Sequence, residues 1–271
     1  MKKVFLGFFV TTFISSVIFA QSVPYGNNPA AGRYYTVRGI KMYTETYGKG
    51  KPLLMIHGNG GSIDNFTAII PFFSKKYTVI AVDSRAQGKS IDGGDSLSFE
   101  MMADDFAALL DIMHIDSSYV IGWSDGGINA LILAMHHPEK VIKLVSTGAN
   151  MKPDSTVFNF SDWKNQVEYY KSNKNKSFAT QKEKNDWKLF RLDFLEPQVQ
   201  LTDLRIIKCP SLIVCGDHDL ITIEHTTAIY KNIQLAYLWV VPNSGHGTLI
   251  EHSSDFNQIV DNFFTIPYKK P

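Results

Sequence analysis

The chain has 271 residues, 44% of them hydrophobic, and its 27 lysines and arginines against 26 aspartates and glutamates give a formal charge of +1. That balance leaves no general electrostatic basis for binding nucleic acid or an anionic membrane surface. The length suffices to bury a sizeable core, and one α/β domain of this size is common.

Residues 1–20 stand apart. Met1-Lys2-Lys3 is a short basic start, residues 4–20 are apolar, and Ala20-Gln21 offers a cleavage point. This is the pattern of a secretory signal peptide, so the expected location is exported, periplasmic or extracellular. Ile18 is larger than a small-residue cleavage site prefers, which leaves an uncleaved amino-terminal anchor as the alternative. Loss of Lys2 and Lys3 takes the formal charge from +1 to −1. No later stretch is long and apolar enough to span a bilayer, so no stable membrane insertion is expected once the signal is removed.

From residue 33 the pattern alternates strand and helix. Residues 33–37 and 40–47 read as a hairpin around Gly39, 53–56 as a short apolar strand, and 77–82 as the next, ending at Asp83. Residues 99–113 carry Met102, Phe106, Leu109, Leu110 and Met113 at helical spacing. The run 119–121 is a strand and 128–137 a helix. Strands at 141–146, 212–215 and 237–241 bring the number to eight. This alternation predicts an α/β fold with a mostly parallel sheet and helices on both faces.

Between the strand at 119–121 and its helix stands Gly122-Trp123-Ser124-Asp125-Gly126-Gly127. A serine between glycines at a strand-to-helix turn has the form of a nucleophile elbow. Gly122 and Gly126 admit neighbouring backbone where a Cβ would clash, and the serine is lifted above the sheet. The Asp125 N–H opens a helix and can face a developing oxyanion. The second donor is expected from the loop after the early strand, His57-Gly58-Asn59-Gly60-Gly61, with the Asn59 N–H as the choice.

Residues 151–200 break the rhythm and carry no buried-strand pattern. They are rich in aromatics and have a lysine-rich middle, 171–188, interspersed with Glu183 and Asp186, which reads as a solvated helix face with a turn at Ser172-Asn173. An insertion here, near the carboxyl ends of the strands, is placed to form a cap over a ligand crevice. The expected division is a signal at 1–20, a core of 21–150 and 201–271, and a helical cap at 151–200.

Cys209 and Cys215 lie at the ends of one apolar run. As a strand, that run separates them by roughly 20 Å, beyond the Cα separation of about 7 Å that a disulfide tolerates. Free, buried thiols are expected. No histidine and cysteine cluster has zinc-ligand spacing and no glycine-rich phosphate fingerprint is present, so neither metal nor organic cofactor is expected.

A serine nucleophile needs a base, and the base an orienting acid. His246 sits in a loop beside two glycines, Asn243-Ser244-Gly245-His246-Gly247, where it has little packing role. His57 is better explained as orienting its own tight loop. His114, His136 and His137 fall at helix ends, and His218, His225 and His252 default to the surface. Gly216-Asp217-His218-Asp219 supplies two candidate acids between serine and histidine. Asp219 is preferred because Leu220 and Ile221 suit a partly buried acid; Asp217 is nearer the strand end and suited to holding the turn.

These landmarks, with Asp83-Ser84-Arg85-Ala86-Gln87-Gly88-Lys89-Ser90, resemble the α/β-hydrolase superfamily over residues 33–268. The family usually has glycine where this chain has Ala86. The resemblance implies an eight-stranded hydrolase sheet with a small helical cap and a Ser124–His246–Asp219 triad. Within the superfamily, Gly122 to Ile128 and Thr147-Gly148-Ala149-Asn150 look most like the biphenyl hydrolase-like esterases (the valacyclovir hydrolase type). There the acid after the nucleophile helps to bind a substrate α-amino group, which implies that role for Asp125, with Trp123 beside it as a second substrate-binding candidate. A carboxylate at a helix N-terminus, worth about 0.3–1 kcal/mol, is the competing explanation of Asp125.

The expected activity is serine hydrolysis of a small-molecule ester through an acyl-enzyme. Carbon–carbon bond hydrolysis of a dienoic ketoacid by the same triad is a second reading. A ligand receptor that keeps the triad without turnover is a third.

Overall fold

The computed structural model describes residues 23–158 and 160–269. The segment read as an export signal lies outside them. An eight-stranded sheet runs in the order β1-β2-β4-β3-β5-β6-β7-β8. Its strands are β1 (Gly32–Val37), β2 (Ile40–Tyr47), β3 (Lys51–Ile56), β4 (Tyr77–Val82), β5 (Ser118–Trp123), β6 (Val141–Thr147), β7 (Ser211–Gly216) and β8 (Ala236–Val241). The β1–β2 and β2–β4 pairs are antiparallel, and all other pairs are parallel.

The helices are α1 (Ile70–Phe73), α2 (Phe99–Ile112), α3 (Asp125–His136), α4 (Phe160–Asn173), α5 (Gln181–Leu195), α6 (Ile223–Lys231), α7 (Thr248–Glu251) and α8 (Ser253–Thr265). Alternate strand residues point to opposite faces of a sheet, and the core divides accordingly. Leu54, Ile56, Ile80, Val82 and Val120 pack with Phe106 of α2, Leu131 of α3 and Ile229 of α6. Leu53, Met55, Val79 and Ile121 pack on the other face with Phe73 of α1 and Phe256 and Phe264 of α8. Burial on both faces explains why β3, β5 and β7 read as unbroken apolar runs.

The insertion between β6 and β7 consists of α4 and α5. The side chain of Thr180 accepts from the Glu183 N–H and Glu183 reaches back, a reciprocal cap that starts α5 after the Asn173 break. The aromatics of this segment mostly bind the two helices to each other: Trp163 and Tyr170 of α4 stack on Phe194 of α5 at 5.3 and 4.6 Å, and Tyr170 meets Trp187 at 5.9 Å.

The lysine-rich middle is not wholly solvated, as the pattern suggested. Lys188 is 7% exposed and donates to Asp92 Oδ2 and the Gly94 carbonyl, each at 2.8 Å. Arg85 holds Asp92 from the other side and Asp105 bidentately. A buried lysine keeps its charge only when paired, and here the pairing ties α5 to the core. Asn185 Nδ2 adds a bond to the Ala86 carbonyl at 2.6 Å. Ala86 takes φ +66°, the left-handed conformation that favours glycine.

Cys215 is buried and Cys209 half-buried, and both are free thiols; burial pushes each up to about 11. Among the described residues no helix is long and apolar enough to cross a membrane.

Candidate active site

The parallel strands all end on one edge of the sheet, and the site is assembled from the loops that leave them. At the end of β5 the chain turns into α3 through Ser124, whose backbone stands at φ 57°, ψ −120°. A β-carbon on Gly122 would lie 2.0 Å from the Gly126 carbonyl oxygen, and one on Gly126 would lie 1.9 Å from that of Ile56. Glycine at both places is a steric requirement of the turn. Gly58 faces the same serine: a β-carbon there would lie 2.9 Å from Ser124 Cβ.

The loop after β8 brings His246 Nε2 to 2.8 Å from Ser124 Oγ. Its Nδ1 lies 2.7 Å from Asp219 Oδ1. With Asp219 ionised, Nδ1 carries the proton and Nε2 is left as an acceptor facing the serine hydroxyl. Asp219 is 5% exposed, and its carboxylate also accepts from the Ile221 N–H at 3.1 Å. Asp217 stands outside this line. Its carboxylate accepts from the Ser244 N–H at 3.0 Å, and the Asn243 and Ser244 amides with His218 hold it well below the usual carboxylate range.

Several residues hold His246 in place. The imidazole closely approaches Gly148, which has φ +65° and where a β-carbon would come within 2.7 Å of Cε1. Glu251 of α7 accepts from the Gly245 N–H at 2.8 Å and from Ser244 Oγ at 3.2 Å, fastening the loop just before the histidine. Trp123 belongs to the same support. Its indole N–H donates to the His246 carbonyl at 2.8 Å and its ring packs in the core. Trp123, expected beside Asp125 at the substrate, is placed here against the histidine loop and is not among the residues that line the crevice.

On the opposite side of Ser124, neither the Asn59 nor the Asp125 N–H has an acceptor among the described residues. Gly60 N–H is bound to Gln87 Oε1 at 2.6 Å and Gly61 N–H to the Gly58 carbonyl at 3.1 Å, which fixes the loop around Asn59. His57 does the orienting anticipated for it: Nδ1 lies 2.7 Å from the Gly58 carbonyl, and Nε2 accepts from the Ser84 N–H at 3.0 Å. Burial pushes it down to about 4, so it stays neutral. His225, assigned by default to the surface, is instead buried, and its Nε2 accepts from the Met151 N–H at 3.0 Å.

A crevice of about 310 Å³ opens over Ser124 and His246, with Phe158, Gln166, Asp193 and Ile221 among its walls. Asp193 is the residue that sequence reasoning missed. It lies on α5, in a helical stretch without a motif. Asp125, the acid expected to meet substrate, is 2% exposed and lies behind this wall. Its Oδ2 accepts from Asn59 Nδ2 at 2.8 Å, and its carboxyl comes within hydrogen-bonding reach of Asp193. Burial, and then the neighbouring Asp193 charge, raise Asp125 well above the usual carboxylate range. Burial raises Asp193 to about 6, against the opposing pull of His246. Among the described residues no cluster of three or more histidine, cysteine, aspartate or glutamate side chains is arranged to hold a metal ion.

Comparison with known proteins agrees with this architecture. Residues 51–173 match the family model for the alpha/beta hydrolase fold. The mouse protein serine hydrolase BPHL is 26% identical over 248 residues, covering 84% of each chain. The 2-hydroxymuconate semialdehyde hydrolase of Pseudomonas sp. (strain CF600) is 27% identical over 278 residues, covering 88% of this chain and 95% of that protein. Among solved structures, a meta-cleavage product hydrolase from Pseudomonas fluorescens IP01 superposes with a TM-score of 0.71 at 23% identity, over 88% of this chain and 98% of that one.

Proposed function

We propose that the chain is an α/β-hydrolase that cleaves a small carboxylic ester through Ser124, His246 and Asp219, a reading that the match of residues 51–173 to the family model and the likeness to serine hydrolase BPHL support. The observation that carries this reading is the 2.8 Å contact between Ser124 Oγ and His246 Nε2, made by a serine held in the strained elbow conformation. Ser124 attacks the ester carbonyl while His246 takes its proton. Asp219 keeps the imidazole in the tautomer that can accept that proton and stabilises the imidazolium. The Asn59 and Asp125 N–H groups receive the oxyanion; one donor of such a hole is typically worth about 10²–10³ in rate. His246 then protonates the departing alcohol, and water cleaves the acyl-enzyme by the reverse route.

An α-amino-acid ester is the favoured substrate type, because Asp193 puts an acid on the crevice wall, where it suits a cation. Carbon–carbon hydrolysis of a ketoacid is the runner-up, suggested by the name of the Pseudomonas relative. It is disfavoured because the wall offers Asp193 and, among the described residues, no lysine or arginine for an anionic acyl group. Export through residues 1–20 is part of the same proposal and is checked by sequencing the amino terminus of the protein recovered outside the cytoplasm.

The test is hydrolysis of phenylalanine methyl ester and methyl 3-phenylpropanoate, with Ser124→Ala as the blank. Serine-dependent turnover supports the reading. Saturable binding of both compounds without turnover would replace it with a ligand receptor.

A further inference from the structure

The tip of the loop after β3 is not held by packing. Asn59 and Gly60 are both exposed, and a β-carbon on Gly60 would meet nothing within 4 Å. Hydrogen bonds hold the tip instead. Asn59 Nδ2 donates to Asp125 Oδ2 at 2.8 Å and to the Leu189 carbonyl of α5 at 3.2 Å. Both hydrogens of the carboxamide nitrogen are thereby used. The first bond joins the two residues whose backbone N–H groups are proposed to receive the oxyanion. The second ties that pair to the insertion. Gly60 is held separately, by Gln87 Oε1 at 2.6 Å.

One face of α5 reaches both restraints. Asn185, Lys188, Leu189 and Leu192 recur at helical spacing and share that face. Leu189 and Leu192 are buried, and Lys188 is bonded to Asp92. Asn185 Nδ2 donates to the carbonyl of Ala86, the neighbour of Gln87. The helix therefore bears on Asn59 directly and on Gly60 through the turn at 86–87.

We propose that Asn59 is a positioning residue through its side chain: the carboxamide fixes the spacing between the Asn59 and Asp125 N–H groups and makes that spacing depend on the seating of α5. This rests on the ester-hydrolase reading and deepens it by naming what keeps the oxyanion hole in shape. Donors aimed at a developing charge are effective when they are preorganised, and at an exposed loop tip such bonds supply the preorganisation. Asp125 gains a role that requires no charged substrate, because its Oδ2 anchors the carboxamide. Asparagine at position 125 keeps an acceptor oxygen for that bond, and alanine does not.

Hydrolysis of p-nitrophenyl butyrate, which carries no cation to be recognised, tests the brace. Asn59→Ala and Asp125→Ala are each expected to lower kcat about tenfold to hundredfold with KM little changed. The double variant is expected to be no slower than the slower single one, because the same bond is removed twice. Asp125→Asn is expected to stay within about threefold of the wild-type kcat, since the acceptor remains. Affinity for propyl trifluoromethyl ketone, which forms a tetrahedral adduct with the serine, is expected to fall by the same factor as kcat. Wild-type kcat in Asn59→Ala, additive losses in the double variant, or a loss carried by KM would overturn the inference. Serine-dependent turnover by the wild type would leave the ester-hydrolase reading standing in each of those cases.

Hydrogen exchange followed by mass spectrometry tests the brace and its link to α5 without turnover. Exchange in the peptide covering residues 57–62 is expected to quicken at least about threefold in Asp125→Ala, which removes the anchor, and in Asn185→Ala, which loosens the seat of α5. Unchanged exchange there in Asp125→Ala contradicts the brace, and unchanged exchange in Asn185→Ala contradicts the coupling to α5, whatever reaction Ser124 performs.

Discussion

The indole N–H of Trp123 donates to the backbone carbonyl of His246 at 2.8 Å. The residue before the proposed nucleophile thus fixes the loop of the histidine that would activate it, across 123 positions of sequence. Trp123→Phe keeps an aromatic ring in the core and removes this bond. A tenfold to hundredfold loss in kcat is expected, about the cost of a small misplacement of a reacting group, with little change in KM. A rise in KM alone would return Trp123 to the substrate.

Gly148 gives the same imidazole its other support. An alanine there adds a β-carbon 2.7 Å from His246 Cε1 and takes up a backbone of φ +65°. The backbone term alone costs about 1–2 kcal/mol, and displacement of the ring is expected to lower kcat by about a hundredfold. Steady-state kinetics and urea denaturation of Gly148→Ala check the two effects separately. Wild-type kcat would show that the ring does not need this contact.

The two acids at the end of β7 separate cleanly. Asp219 is bonded to His246 Nδ1, so Asp219→Asn removes the group that sets the tautomer, and a loss in kcat of about 10⁴ is expected. Asp217 holds the turn that carries Ser244, and Asp217→Asn is expected to cost less than about tenfold. The reverse ranking in a side-by-side kcat comparison would exchange their roles.

Asp193 carries a stability cost with a definite pH dependence. Its folded-state value, raised by burial to about 6, lies above that of an aspartate in the unfolded chain. Stability is therefore lost as pH rises from about 4 through about 6, and the loss is complete above that window. Asp193→Asn is expected to stabilise the protein by about 1–2 kcal/mol at pH 7.5, with the gain shrinking toward zero at pH 4.5. Urea denaturation at the two pH values reads this directly. A pH-independent change would mean that Asp193 is not held against its ionisation.

Much of this architecture is legible in the sequence because its determinants are local. Two-sided burial makes apolar strands, glycines mark the elbow where a β-carbon would strike backbone, and Asp219 and His246 sit at strand ends whose order gives their roles. Asp193 is not legible, because its meaning depends on where α5 lands. The side chain has no motif around it, and its partner Asp125 is 68 positions earlier in the chain. Lys188 is hidden for the same reason. In a run of lysines it has the pattern of a solvated face, and only the packing of α5 against the loop at Asp92 makes it a buried ion-pair member. The bond from Trp123 to the His246 loop is hidden as well, because it joins residues 123 positions apart.

The measurement that bears most directly on the central claim is the identity of the acyl-enzyme. The protein would be mixed with p-nitrophenyl butyrate, quenched within the first turnover, digested, and its peptides identified by mass spectrometry. One butyryl group on the peptide containing Ser124, accumulating with a burst of p-nitrophenol and absent in Ser124→Ala, is the expected result. Turnover that persists in Ser124→Ala, or an acyl group on any other residue, would contradict it.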